Sequence, residues 1–249
     1  MTKIIMHGCN GRMGRMITEI AAEDENVEIV AGVDTFLGRD NDYPVFEKIS
    51  ECDVDADVII DFSNASAVDA LLDYAVKKNL PVVLCSTGLS EEQYKKVKDT
   101  SDKVAVLKSA NMSLGINLLM QLLEQAEKTL SEAGFDIEIV EKHHNKKLDA
   151  PSGTALALAD AMNTEGKYEY VFDRSDRRAV RDKKEMGISA VRGGTIVGEH
   201  DVIFAGTDEV ITFSHHAASR AVFAKGAVSA AKFLAGMKPG MYDMQDVIK

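Results

Sequence analysis

The chain has 249 residues with a formal net charge of −11, and 45% of them are hydrophobic against 28% charged. This length allows one large domain or two modest ones, each with its own core. The acidic excess argues against a nucleic-acid partner, because phosphate binding needs clustered Lys and Arg, but it leaves open an anionic small molecule, which answers to local charge.

Residues 3–7 read as a short apolar strand, too brief for a signal peptide, that runs at once into GCNGRMG at 8–14. Met13, Met16, Ile17, Ile20 and Ala21 then recur at helical spacing, and residues 27–33 form a second strand that ends in Asp34. Strand, glycine turn, helix, strand and terminal acid make up the layout of a dinucleotide-binding βαβ unit. The glycines let main chain approach a pyrophosphate, the helix N-terminus stabilises it, and the acid meets the adenosine ribose. Gly8, Gly11 and Gly14 depart from the commoner two-then-three spacing, and Asn10 stands at a turn position that tolerates left-handed backbone. A tight strand–helix turn without a ligand would carry similar glycines.

The alternation continues through a buried-type strand at 57–63 and a helix at 65–79 with Val68, Leu71, Leu72 and Val76 on one face. A strand at 81–85 leads to Ser86-Thr87-Gly88, a polar helix covers 90–100, and a strand at 104–107 ends in Ser109-Ala110-Asn111-Met112-Ser113. Strands alternating with helices predict a Rossmann-like, doubly wound parallel sheet with ligands at the carboxyl ends of its strands. The three polar turns fall at such ends; taken singly, each is equally a plain loop or a helix cap.

After Ser113 the pattern changes. A long helix points Leu119, Leu122, Leu123, Ala126 and Leu130 inward and closes at Gly134. Next comes EIVEKHHNKKLDAPSGTALA at 138–157. Ile137 and Ile139 alternate with Glu138 as in a strand, which delivers His143 and His144 into a polar loop with Lys147 and Asp149. Pro151-Ser152-Gly153-Thr154 then opens an Ala/Leu-rich helix that runs to about residue 163. Proton donors thus stand a few residues from a helix N-terminus, whose N–H groups attract an anion. A polar loop with a well-made helix cap would read the same way. Residues 173–185 carry ten charges in thirteen positions and suggest a solvated, flexible loop. Strand-like runs at 188–192, 195–204 and 209–213 follow without helices between them, which predicts a second, α+β domain with a mixed or antiparallel sheet. The last helix, 219–236, shows Phe223, Ala227, Ala231 and Leu234 on one face and is able to return to cover the first domain. The expected division is therefore residues 1–112 with 219–249 as a dinucleotide-binding domain, and 113–218 as a substrate-binding and oligomerisation domain.

GCNGRMGRM, DFSNAS, the STG and SANMS turns, EKHHNKKLDAPSGTA, RGGTIVGEHDVIF and SHHAASRAVFAKGA together resemble the 4-hydroxy-tetrahydrodipicolinate reductase (dihydrodipicolinate reductase) family. The resemblance runs along nearly the whole chain and is most specific at 141–154. It implies NADH- or NADPH-dependent reduction of a small cyclic dicarboxylate in the diaminopimelate route to lysine, by a homotetramer. It also implies acid/base roles for His143 and Lys147, and substrate holding by His144, Gly153 and Thr154. Cofactor contacts are implied at Gly8, Cys9, Asn10, Gly11, Arg12, Met13 and Asp34, at Cys85, Ser86 and Thr87, and at Ser109, Ala110, Asn111 and Met112.

The chemistry read from the residues agrees with this. Hydride addition to a conjugated C=C–C=N system leaves charge that must be protonated, which calls for a positioned acid of tunable pKa; histidine and a partly buried lysine both qualify. NADH is expected to serve at least as well as NADPH. Asp34 suits two ribose hydroxyls and repels an added phosphate, and Arg39 is the one cation nearby in sequence. His7 reads as structural at the end of a core strand. His200, His215 and His216 with His143 and His144 form no known metal spacing, so no metal is expected. Arg192 and Arg220 are candidates for holding a dicarboxylate or phosphate, or for surface ion pairs.

Three cysteines (Cys9, Cys52, Cys85) are odd in number and not spaced as a metal knuckle, and no apolar stretch reaches membrane-span length. The expected compartment is the cytoplasm. Two rival classes remain. A semialdehyde-type dehydrogenase needs a cysteine nucleophile, but Cys9 lies in the glycine turn and Cys85 at a strand end, with no histidine beside either in sequence. A non-catalytic NAD-sensing protein leaves His143, Lys147 and the SGT stretch without a purpose.

Overall fold

The computed structural model describes residues 1–175 and 177–249. They divide into two compact units, Met1–Leu114 with Ala221–Lys249, and Gly115–Arg220.

In the first unit, strand β1 (Thr2–His7) leads to α1 (Arg12–Ala22) and β2 (Val27–Val33), followed by a two-residue strand β3 (Val45–Phe46). The alternation continues with β4 (Val58–Asp61), α2 (Ala65–Lys78), β5 (Val82–Leu84), α3 (Glu91–Ser101) and β6 (Ala105–Leu107). Local signals set the helix starts: Asn64 accepts the Ser66 N–H at the head of α2, and Ser90 and Gln93 form a reciprocal capping box on α3.

The second unit takes α4 (Leu114–Glu132), all but its first residue, then β7 (Asp136–His143), α5 (Gly153–Met162), β8 (Glu169–Phe172), β9 (Glu185–Arg192), β10 (Glu199–Ala205) and β11 (Val210–His216). The chain then returns to the first unit with α6 (Ala221–Leu234), β12 (Gly240–Tyr242) and the short α7 (Met244–Val247).

The first sheet has seven strands in the order β12-β6-β5-β4-β1-β2-β3, all parallel. Strand order reverses between β1 and β4, so the carboxyl ends of these two, His7 and Asp61, flank the crevice where doubly wound sheets take ligands. Successive β1 side chains serve opposite faces. Ile4 and Met6 join Ile17 of α1 and Ala224, Ala227 and Ala231 of α6, while Ile5 packs with Leu71 and Leu72 of α2 and Val97 of α3. Helix α6 therefore covers this sheet. Strands β3 and β12 were not legible in sequence, because two or three residues carry no measurable period.

The second sheet has the order β11-β10-β7-β9-β8 and is mixed: β7, β8 and β9 pair in parallel, and β10 is antiparallel to both β7 and β11. Its core joins Ile137, Ile139, Ile188, Val202 and Phe204 to Ile116, Leu119 and Leu123 of α4 and Leu158 of α5.

Several expectations need correction here. Leu122 is 43% exposed, because the buried face of α4 is set by Ile116, Asn117, Met120 and Leu123 and leaves Leu118 and Leu122 outside. β10 begins at Glu199, not 195, since residues 195–198 belong to the turn before it. The charged segment 173–185 is tied down: Arg181 reaches Asp136, Glu138 and the carbonyls of Ile137 and Glu185, and Arg174 and Arg177 pair with Glu185. Asp176, within that segment, lies outside the described residues. Among the described residues, no helix is long and apolar enough to cross a membrane.

Candidate active site

Along β7 the side chains alternate, and every second one, Ile137, Ile139, Glu141 and His143, is buried. A carboxylate and an imidazole are thereby carried into the core face of a strand, where each needs partners. Glu141 is fully buried and finds three, through four hydrogen bonds. Arg192 on the adjacent β9 donates to both of its oxygens at 2.7 Å, His143 Nδ1 lies 2.6 Å from Oε2, and the Ser152 N–H donates to Oε1 at 2.8 Å. Burial opposes ionisation of Glu141, but these donors outweigh it and hold the carboxyl below its ordinary range.

The same cluster extends outward. Ser152 caps α5 by accepting the Ala155 N–H at 3.1 Å, and its hydroxyl also meets His200 Nε2 at 3.1 Å. The His200 ring stands edge-on to that of His143, with centroids 5.2 Å apart. Burial, with His143 adding to it, pushes His200 down to about 4, so it is neutral near pH 7. His143 is also pushed below its usual value, by burial first, with Glu141 opposing and Lys147 and Arg192 assisting.

The loop after β7 is stitched to the β9–β10 turn by Gly193 N–H to His143 O at 2.9 Å and Asn145 N–H to Gly194 O at 3.2 Å. This places Lys147 Nζ within 2.9 Å of the Asp149 carboxylate, while the Asp149 carbonyl accepts from Arg192 at 2.7 Å. Asp149 is held below the usual carboxylate range by the Lys147 hydrogen bond first, and the Gly153 N–H contributes. A carboxylate therefore sits on the ammonium of Lys147 and at the first residue of α5. His144 is half-buried, and its Nδ1 is buried with no hydrogen-bond partner among the described residues. Arg192 is not a surface pair, because its partner is a fully buried carboxylate.

On the first unit, Gly8 has φ +83°, and a Cβ there would lie 2.7 Å from the Phe62 carbonyl oxygen. At Gly14 a Cβ would lie 2.2 Å from the Gly8 oxygen. Gly14 brings α1 tight against the turn after β1, and Gly8 lets that turn lie against the main chain that follows β4. Helix α1 starts at Gly11 with no side-chain cap and no acid in its first turn, so its leading amides and the exposed Arg12 suit an anion. Asp34 accepts from Asn10 N–H and Phe36 N–H, each at 2.9 Å and one on each oxygen.

A cavity of about 400 Å³ runs past Gly8, Gly11, Asp34, Lys48, Phe62 and Asn64. Lys48 is a second cation in the neighbourhood of Asp34, so Arg39 is not the sole candidate. The sequence hid this, because Lys48 lies beyond β3. Cys9 and Met112 are buried in the core; burial pushes the Cys9 thiol up to about 11. Thr87, Lys108, Ser109 and Ala110 border a further cavity of about 740 Å³ at the ends of β5 and β6.

Family models of dihydrodipicolinate reductase match both parts of the chain, the N-terminal one over residues 2–112 and the C-terminal one over 115–248. The chain belongs to the dihydrodipicolinate reductase family. It is 54% identical to the 4-hydroxy-tetrahydrodipicolinate reductase of Caldanaerobacter subterraneus subsp. tengcongensis, over all of this chain and 99% of that one. The counterpart in Clostridium novyi is 51% identical with the same coverage. The solved structure of a dipicolinate-bound dihydrodipicolinate reductase from Paenisporosarcina sp. TG-14 has the same fold, with a TM-score of 0.81 over 99% of both chains at 23% identity. A probable dehydrogenase from Thermotoga maritima shares the fold more loosely, at TM-score 0.63 over 99% of this chain and 92% of that one, with 11% identity.

As a member of the dihydrodipicolinate reductase family, the protein is an oxidoreductase that uses NAD(P)H. Its structure brings His143, Lys147, Ser152 and Gly153 together through Glu141 and Asp149, which sequence reading had not assigned. Period-two alternation was the signal for Glu141, since it shares a strand face with Ile137 and Ile139. The crevice between β1 and β4 holds a third unassigned acid: fully buried Asp61 lies 2.8 Å from His7 Nδ1 and accepts from the Ser63 hydroxyl at 2.6 Å. Among the described residues, no group of three His, Cys, Asp or Glu side chains is arranged to hold a metal.

Proposed function

We propose that the protein catalyses reduction of 4-hydroxy-tetrahydrodipicolinate to tetrahydrodipicolinate, with NAD(P)H and one proton consumed and NAD(P)⁺ and water released. This is the reductive step of the diaminopimelate route to lysine. The observation that carries the substrate reading is the carboxylate of Asp149 resting on Lys147 and the start of α5, a few residues from buried His143. A dicarboxylate ring offers the same chemistry to the same groups, with His144 and the N–H groups of Gly153 and Thr154 holding it. When bound, NAD(P)H supplies the hydride. His143 and Lys147 then supply and relay the proton that neutralises the charge left on the ring. The test is loss of nicotinamide absorbance with synthase-generated substrate; no oxidation of NADH or NADPH under those conditions overturns the reading.

The dinucleotide is held at Gly8 to Met13, with its pyrophosphate on the uncapped start of α1 and its adenosine ribose on Asp34. The turns Cys85-Ser86-Thr87 and Ser109-Ala110-Asn111-Met112 serve the rest of it. Both Asp34 oxygens keep acceptor capacity beyond their main-chain bonds. NADH is used at least as well as NADPH, and Lys48 and Arg39 allow dual use. Fluorescence titration gives Kd for both cofactors, beside kcat/KM. A preference for NADPH above tenfold, about 1.4 kcal/mol, would mean that a cation outweighs Asp34. Unpaired Cys9, Cys52 and Cys85 suit a reducing cytoplasm. The outer strands β8 and β11 leave edges that a homotetramer would cover; a monomeric mass in sedimentation overturns that assembly.

A further inference from the structure

We infer that Glu141 is a positioning residue for proton transfer: one buried carboxylate fixes which nitrogen of His143 exchanges the proton and ties that ring to the start of α5. This rests on the reading of His143 as an acid/base group. The two oxygens divide the work. Oε2 faces His143 Nδ1 at 2.6 Å, and Oε1 accepts the Ser152 N–H at 2.8 Å. Arg192 donates to both at 2.7 Å, which leaves the carboxylate no freedom to rotate.

An ionised carboxylate only accepts hydrogen bonds, so the proton of neutral His143 must be on Nδ1. Nε2 is then the nitrogen with an open lone pair. Gly198 leaves room beside it, since a Cβ there would lie 3.1 Å from Nε2. The second anchor, Ser152, also meets His200, whose ring supports that of His143 from the side. Ring orientation, tautomer and the position of the helix start thus depend on one carboxylate that is itself fully buried and does not reach solvent.

The groups that set the charge state of His143 come from every strand around it. Glu141 on β7 favours the imidazolium; Lys147 in the following loop and Arg192 on β9 oppose it. His200 on β10 stands against the ring, with His215 of β11 paired opposite His200. Replacing Glu141 by its uncharged isostere removes this favourable charge, so the His143-dependent limb of the kcat profile moves to lower pH.

The direct test is ¹⁵N NMR of histidine-labelled protein near neutral pH. The expected result is a His143 ring protonated on Nδ1; a ring protonated mainly on Nε2 overturns the inference. In Glu141→Gln, kcat is expected to fall by at least about tenfold and the limb to move down, as loss of a positioned acid/base group requires. NADH Kd, read by fluorescence, stays within about twofold. In a His143→Ala background the same change costs less than about twofold further, because both act through one ring. Wild-type kcat in Glu141→Gln beside an inactive His143→Ala sinks the positioning role alone. Full turnover in His143→Ala sinks the reading beneath it. If Glu141→Gln fails to fold, the wild-type tautomer still decides.

Discussion

At the end of β1 the groups proposed to meet a ligand are the leading main-chain amides of α1, which has no capping side chain and follows a turn kept tight by Gly8 and Gly14. At the end of β7 they are side chains, His143 and Lys147, held by a buried carboxylate and by pairing within the loop. The first arrangement depends on atoms that are missing and fails when a methyl group is added. The second depends on charges that must be balanced inside the core and fails when one is removed. Each region should therefore respond to a kind of change that leaves the other indifferent.

The largest separation is expected from the proposed proton-transfer pair, His143 and Lys147. His143→Ala and Lys147→Ala should each lower kcat by about a hundredfold or more, the usual scale for a positioned proton donor. NADH binding, measured by fluorescence, should stay at the wild-type value. Full turnover in Lys147→Ala at saturating substrate would remove that residue from the mechanism.

Acid should weaken the side-chain region next. His200 has a folded pKa of about 4, below the ordinary histidine value near 6.5. Between those two values the unfolded chain binds the extra proton, so stability is present above the unfolded pKa and is lost as pH falls toward the folded one. The loss attributable to this ring is roughly 3 kcal/mol. Glu141, whose pKa is lowered, adds a further loss below the ordinary carboxylate range. Denaturant unfolding across this range in wild type and His200→Gln checks the first part: the variant should show a shallower pH dependence, and an unchanged slope would refute it.

Adding a methyl group breaks the main-chain region. The Cβ of Gly14→Ala would meet the Gly8 oxygen at 2.2 Å, which should cost about 2 kcal/mol of stability. NADH Kd should rise by about tenfold while the His143 tautomer, read by NMR, is unaffected. If NADH binds Gly14→Ala as tightly as wild type, the dinucleotide does not lie on this turn. The smallest effect is expected at Ser152→Ala, where loss of the α5 cap should cost about 1 kcal/mol. Its substrate KM should rise more than its kcat falls, a split that steady-state kinetics reads directly.

Much of the plan of this protein was decided locally. The strand–turn–helix at residues 3–22, the alternation down to β6, the Ser152 cap and the presence of His143 and Lys147 just before it all rest on spacings of a few residues, which a sequence displays. Tertiary structure decided the rest, because the deciding partners are far apart in the chain. Arg192 is 51 residues from Glu141, and His200 is 48 from Ser152. Lys48 borders the Asp34 cavity from beyond β3. The three residues of β12 become a strand only because the edge of β6 offers them hydrogen bonds. Leu122 looked inward by period, but the core to which α4 is matched took the neighbouring face. A periodic pattern shows that a side chain has a face. Whether that face is core, solvent or a balanced buried charge depends on what a distant segment brings to it.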